Sequence, residues 1–135
     1  MSLSERVDPT WVAVDLQINT QEELFEWITT RMAQSGFLGN QARAYEKLLE
    51  RERIVSTAIH PGVAVPHARC EECSSIGLSV VRLARGIDFK ARDGHPVSLV
   101  FALLGPPEAT AEHVRVLGKV ARKIQDPASL KALLE

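Results

Sequence analysis

The chain has 135 residues, is 45% hydrophobic and carries a formal net charge of -1, which is the length of one domain with enough apolar content for a core. So small a charge sets up no field to draw in nucleic acid or an acidic membrane surface, and no apolar run approaches the ~20 residues of a spanning helix. The two cysteines are too few for a disulfide framework, and the polar start at Met1-Ser2-Leu3-Ser4 lacks a signal peptide's apolar stretch, so the expected compartment is the cytoplasm.

In chain order, Trp11 to Leu16 reads as a first strand. Thr20 opens a helix, because its hydroxyl can accept from the N–H of Glu23, whose carboxylate can reach back as a capping box. Leu24, Ile28 and Met32 follow at helical spacing, and Gly36 closes the helix. A second helix starts after Asn40 and runs through Tyr45, Leu48 and Leu49 to about Arg53. Ser56-Thr57-Ala58-Ile59 and Val63-Ala64-Val65 are short β-prone runs around the turn His60-Pro61-Gly62, so a hairpin-like excursion is expected. Ile76 to Leu83 is a strand with Ile76, Leu78 and Val80 on one face. After a turn at Asp93-Gly94, Val97 to Leu104 is nearly all apolar, as a central strand covered on both faces would be.

Pro106-Pro107 stops that strand. Thr110 is placed to cap a third helix, whose inner stripe is His113, Leu117, Val120 and Ile124. Asp126-Pro127 breaks it, with a last short helix through Leu130, Leu133 and Leu134. Strands interleaved with helices predict an α/β (α+β) fold, one mixed sheet flanked by helices in a single domain.

His67 is the first candidate for chemistry. It ends a short apolar run and is held behind Pro66. Neutral imidazole is a nucleophile near physiological pH and can pass a phosphoryl group onward. Phosphoryl transfer needs positioning and donors for the equatorial oxygens. Arg51 and Arg69 can supply forked donors, while Ser56 and Thr57 can add hydroxyls or orient the ring. His113 lies on an apolar stripe near a helix N-terminus, where an anion is favoured. The plain reading of each residue stays beside this one: a packed His67, a hydrogen-bonded core His113, a solvated Arg51 and turn-forming Ser56 and Thr57. His60 and His95 precede prolines and read as surface loop residues.

His67-x-x-Cys70-x-x-Cys73 has the spacing of zinc ligands, and Cys70-Glu71-Glu72-Cys73 that of a dithiol. A zinc or thiol sensor is therefore an alternative, although Glu71 and Glu72 would raise the thiol pKa values. No P-loop and no Gly-x-Ser-x-Gly elbow is present, and no cofactor is expected.

Leu48-Leu49-Glu50-Arg51-Glu52, Ser56-Thr57-Ala58-Ile59 and Gly62-Val63-Ala64-Val65-Pro66-His67-Ala68-Arg69 resemble the signature of enzyme IIA proteins. These are the fructose/mannitol type of the phosphoenolpyruvate-dependent phosphotransferase system, with the nitrogen-regulatory IIA proteins as a branch. Gly86-Ile87-Asp88-Phe89, Asp93-Gly94-His95-Pro96-Val97 and Leu99 to Leu104 continue the likeness through most of the chain. The resemblance implies one IIA-like domain over residues 1–135, lacking the family's further final helix. It implies that His67 takes a phosphoryl group from a histidine-containing phosphocarrier protein. The group would then pass to a cysteine of a IIB domain, or its presence would control a regulated target protein. His113 would assist, and Arg51 would correspond to the family's arginine. A non-catalytic regulatory module that docks partners through the His67 face is the other alternative.

Overall fold

The computed structural model describes residues 3–134 of the chain. Two short 3-10 turns, Leu3–Arg6 and Pro9–Trp11, lead into β1 (Val12–Leu16), α1 (Gln21–Gln34) and α2 (Gln41–Ile54). Then come β2 (Val63–Ala64), β3 (His67–Arg69), β4 (Gly77–Ile87), β5 (Val97–Gly105), α3 (Thr110–Gln125) and α4 (Pro127–Leu134). The mixed sheet and its flanking helices are those that the sequence predicts.

The helix boundaries follow local chemistry. Glu23 N–H donates to the Thr20 hydroxyl at 3.1 Å. The reciprocal arm goes one residue further back, to Asn19 N–H at 3.4 Å. Gly36, at φ 84°, takes the left-handed conformation that ends α1. Asn40 caps α2 by accepting from Arg43 N–H at 3.1 Å.

The five-stranded sheet runs β1-β4-β5-β2, with β3 also on β5. β4 and β5 are antiparallel, while β1 joins β4 and both β2 and β3 join β5 in parallel. β2 and β3 are two pieces of one edge strand, interrupted at Val65 and Pro66. Proline has no N–H for a ladder, so an edge is where a strand tolerates it. β5 is central: Val97, Val100, Ala102 and Leu104 pack with α1 and α2 residues, and Leu99, Phe101 and Leu103 with the α3 side.

Four expectations need correction. Trp11 lies in a 3-10 turn, not in β1. Ser56 to Ile59 form no strand, because the Thr57 amide donates to the Glu52 carboxylate at 2.8 Å rather than to a ladder. Thr110 lies inside α3 after Ala109, which supplies no side-chain cap. Val116 joins the buried stripe of α3, and Leu117 is only half-buried. The side chains of Leu130, Leu133 and Leu134 lie outside the described residues.

Gly77 has no room for a side chain. A Cβ on Gly77 would lie 2.7 Å from Phe37 Cζ and 3.0 Å from Trp11 Cζ3. Those two rings are already locked edge to face with centroids 4.9 Å apart, and Trp11 Nε1 donates to the Ser35 hydroxyl at 3.1 Å. Gly77→Ala is therefore expected to destabilise the domain by about 1–3 kcal/mol, read as a lowered urea midpoint.

Candidate functional site

His67 begins β3, and its backbone register on β5 pairs it with Leu103. Alternation along a strand sends residues 67 and 69 to one face and residues 68 and 70 to the other. The face that carries His67 and Arg69 is the one that α3 covers. There His113, only 3% exposed, places its ring 5.8 Å from that of His67, centroid to centroid, at 61°. The two histidines, 46 positions apart in sequence on the count from 67 to 113, thus share one site.

α2 closes the site from the sheet edge. Lys47, Glu50, Arg51 and Ile54, spaced to share one helix face, line a cavity of about 450 Å³ with His67, Arg69, His113, Val114 and Leu117. Three cations stand there against one carboxylate, which favours an anionic guest. A larger hollow of about 630 Å³ lies against α3 and α4, lined by Leu3, Lys119, Arg122 and Asp126 among others. No histidine borders it, so chemistry and not size identifies the site.

The His67 ring is oriented. Its Nδ1 lies 2.8 Å from the Val65 carbonyl oxygen. A carbonyl only accepts, so Nδ1 carries the proton and Nε2 keeps the lone pair. Burial pushes the His67 pKa below the ordinary imidazole value; the Val65 bond opposes that shift, and the charges of Arg51 and Arg69 reinforce it. Burial, then Arg69, then His67 hold His113 down at about 4. Both rings are therefore neutral at physiological pH. Among the described residues His113 Nδ1 is buried without a hydrogen-bond partner, a cost that an incoming polar group would relieve.

The arginines are held by backbone carbonyls. Arg51 donates to the Val55 carbonyl at 3.0 Å, just past its own helix. Arg69 donates through one terminal nitrogen to the Pro107 carbonyl at 3.1 Å and the Thr110 hydroxyl at 2.7 Å. The hydroxyl that the sequence marks as a helix cap is thus an arginine tether at the mouth of the site.

Ser56 and Thr57 do not line the cavity. Ser56 Oγ accepts from Ala58 N–H at 3.2 Å. Thr57 is 2% exposed, and its hydroxyl donates to Glu52 Oε1 at 2.8 Å. The described bonds of both side chains thus stay within residues 52–58. Lys47 and Glu52 received no role from the sequence, and Thr110 only that of a helix cap; helical spacing from Arg51 was the one signal available for Lys47.

The zinc-like triad is not assembled. Cys70 and Cys73 sit, 1% and 6% exposed, in the core shared with α1 and α2, on the opposite side of β3 from the His67 ring. Cys70 Sγ donates to Glu72 at 3.0 Å. Burial raises both thiol pKa values, and that of Cys73 lies above the titratable range. Among the described residues no group of three or more His, Cys, Asp or Glu side chains is placed to hold a metal ion. No described helix is long and apolar enough to cross a membrane.

Comparison with known proteins gives one family and several relatives of like fold. The family described as phosphoenolpyruvate-dependent sugar phosphotransferase system, EIIA 2, matches residues 5–135. A nitrogen regulatory protein of Bradyrhizobium diazoefficiens is 35% identical over 98% of this chain and 86% of its own length. The crystal structure of nitrogen regulatory protein IIA-Ntr from Neisseria meningitidis superposes with a TM-score of 0.91 at 32% identity, covering 98% of this chain and 90% of that one. Enzyme IIA for mannitol from Escherichia coli, solved in complex with phosphorylated mannitol IIB, superposes with a TM-score of 0.78, covering 95% and 88%. At 16% identity the last likeness speaks for the fold alone.

Proposed function

The chain belongs to the EIIA 2 family of the phosphoenolpyruvate-dependent sugar phosphotransferase system, and on that premise we propose that it carries a phosphoryl group on Nε2 of His67. The donor is a histidine-containing phosphocarrier protein. The acceptor is a IIB component or a protein whose activity the phosphorylated state controls. The observation that carries this reading is the oriented, neutral His67 ring beside His113 in a cation-lined cavity.

The step balances without an added proton carrier. The Nε2 lone pair forms a bond to phosphorus while the donor's N–P bond breaks. The donor ring, protonated at its other nitrogen, takes that electron pair and leaves as neutral imidazole. His67 keeps its Nδ1–H on the Val65 carbonyl and becomes the positively charged phosphoimidazolium. Arg51 and Arg69 neutralise the equatorial oxygens. An N–H of His113 donates to one of them, which gives the buried ring a partner.

The surroundings suit a protein donor. Ile54 and Val114, 79% and 60% exposed, flank the cavity from α2 and α3, and Val55 adds a further exposed apolar side chain. Apolar groups around a charged centre are how a docking face combines contact with orientation. The mannitol IIA of like fold is solved on phosphorylated IIB, and a IIB-type acceptor is one arm of the proposal. The nitrogen regulatory relative, at 35% identity over 98% of the chain, favours a regulatory use of the same phosphoryl group.

The test is incubation with labelled phosphoenolpyruvate, enzyme I and the phosphocarrier protein. Acid-labile, base-stable label on this chain is expected, and its absence with a cognate donor system overturns the reading. Arg51→Ala is expected to slow uptake by about 10²-fold while shifting the melting temperature little, since its one described bond is an exposed one to Val55. A variant that unfolds instead makes Arg51 structural.

A further inference from the structure

We propose that Glu52 is a positioning residue for this transfer, which acts through Thr57 and the Val65 carbonyl to hold the His67 ring with Nε2 free. The inference rests on the phosphocarrier reading for its consequence but not for its geometry.

The link is continuous. Both oxygens of the Glu52 carboxylate are engaged by one residue: Oε2 accepts from Thr57 N–H and Oε1 from the Thr57 hydroxyl, each at 2.8 Å. The Thr57 carbonyl in turn accepts from Val65 N–H at 2.9 Å. The Val65 carbonyl, at the far end of that residue, accepts from His67 Nδ1. The next carbonyl, that of Pro66, is pinned by Leu103 N–H of β5 at 2.9 Å. The peptide that holds the imidazole is therefore fixed from the sheet on one side and from α2 on the other. Residues 55–59 have no ladder of their own; two α2 side chains tie this loop to the helix, Arg51 at the Val55 carbonyl and Glu52 at both donors of Thr57.

The choice of residue argues the same way. Burial raises the Glu52 carboxyl pKa even though the two Thr57 bonds and Arg51 lower it, so the carboxylate sits there at a cost. An apolar residue would avoid that cost but would leave both donors of Thr57, the residue that holds Val65, without this partner. A strand cannot supply the anchor either, because β3 occupies the edge beside β5 and α2 covers it. Adjacent residues of α2 thus divide the work: Arg51 lines the cavity, and Glu52 sets the frame behind it.

A merely structural brace would change stability without changing the ring, so the tautomer decides. In 15N-labelled protein without donor, long-range 15N–1H correlation is expected to show wild-type His67 with Nδ1 protonated and Nε2 bare. Glu52→Ala is expected to mix the two tautomers and to slow phosphoryl uptake about tenfold. Thr57→Val, which keeps the amide bond and loses the hydroxyl, is expected to slow it about threefold, with Thr57→Ser restoring both readouts. A folded Glu52→Ala whose tautomer and uptake match wild type overturns the proposal. Should Glu52→Ala fail to fold, an unchanged tautomer in folded Thr57→Val overturns it equally. Wild-type protein that takes no label, with the tautomer still mixed in Glu52→Ala, sinks the phosphocarrier reading and leaves the positioning role intact.

Discussion

His67→Ala should lose phosphoryl uptake by at least about 10⁴-fold, because it removes the proposed nucleophile and no other described group is placed to replace it. His113 is too buried to meet a donor directly, at 3% exposure. His95 is exposed beside Asp93, and His60 bonds its own turn through the Pro61 carbonyl, so His60→Ala and His95→Ala should label like wild type. The labelled nitrogen is part of the expectation. With Nδ1 committed to Val65, phosphorus should bond Nε2, and 31P–15N coupling in the phosphoprotein reads this directly. Stability should change by only about 1 kcal/mol in His67→Ala, since the ring is half-buried at a sheet edge and keeps one hydrogen bond. Phosphorus found on Nδ1 would mean that the ring leaves Val65 before it reacts.

Acidification should destabilise the domain through its two facing histidines. Both have folded-state pKa values below the ordinary 6.5, and that of His113 is about 4. The unfolded chain therefore binds protons more readily than the folded one across that window. Stability is fully present above pH 6.5, falls as the pH drops from 6.5 towards about 4, and levels below that. The His113 share is about 2 kcal/mol after allowance for the open mouth of the site. Urea midpoints measured at several pH values should show a steeper acid decline in wild type than in His113→Gln. Parallel curves would place the His113 ring in solvent. Uptake should follow a related profile: the depressed His67 value keeps the lone pair available somewhat below pH 6.5, and the rate should fall as that ring takes a proton.

Much of the site was readable before any tertiary contact was known. The Gly-Val-Ala-Val-Pro-His run marks a histidine on a stiff edge segment. The stripe of α3 marks an inward-facing His113, and the Leu-Glu-Arg-Glu segment marks a cation one helix away. Thr57 was misread because its partner choice is a competition. Its β-branched side chain favours a strand, but the Glu52 carboxylate five residues earlier captures both its donors. Thr110 was misread for a similar reason. As a helix-start residue it looks like a cap, yet Arg69, 41 positions earlier, reaches its hydroxyl at 2.7 Å. Cys70 and Cys73 have metal spacing on paper, but strand alternation turns Cys70 away from His67.

Local patterns were enough to specify the helices, the long strands and the candidate histidine on its stiff edge segment, because capping, periodicity and proline restriction act over a few neighbouring residues. Strand order, and with it the meeting of His67 with His113 and of Arg69 with Thr110, came only from the folded chain. Those contacts join residues some forty positions apart, and their geometry depends on which edge of β5 the broken strand takes and which face α3 then covers. No nearest-neighbour preference encodes that choice; the burial of β5 from both sides imposes it.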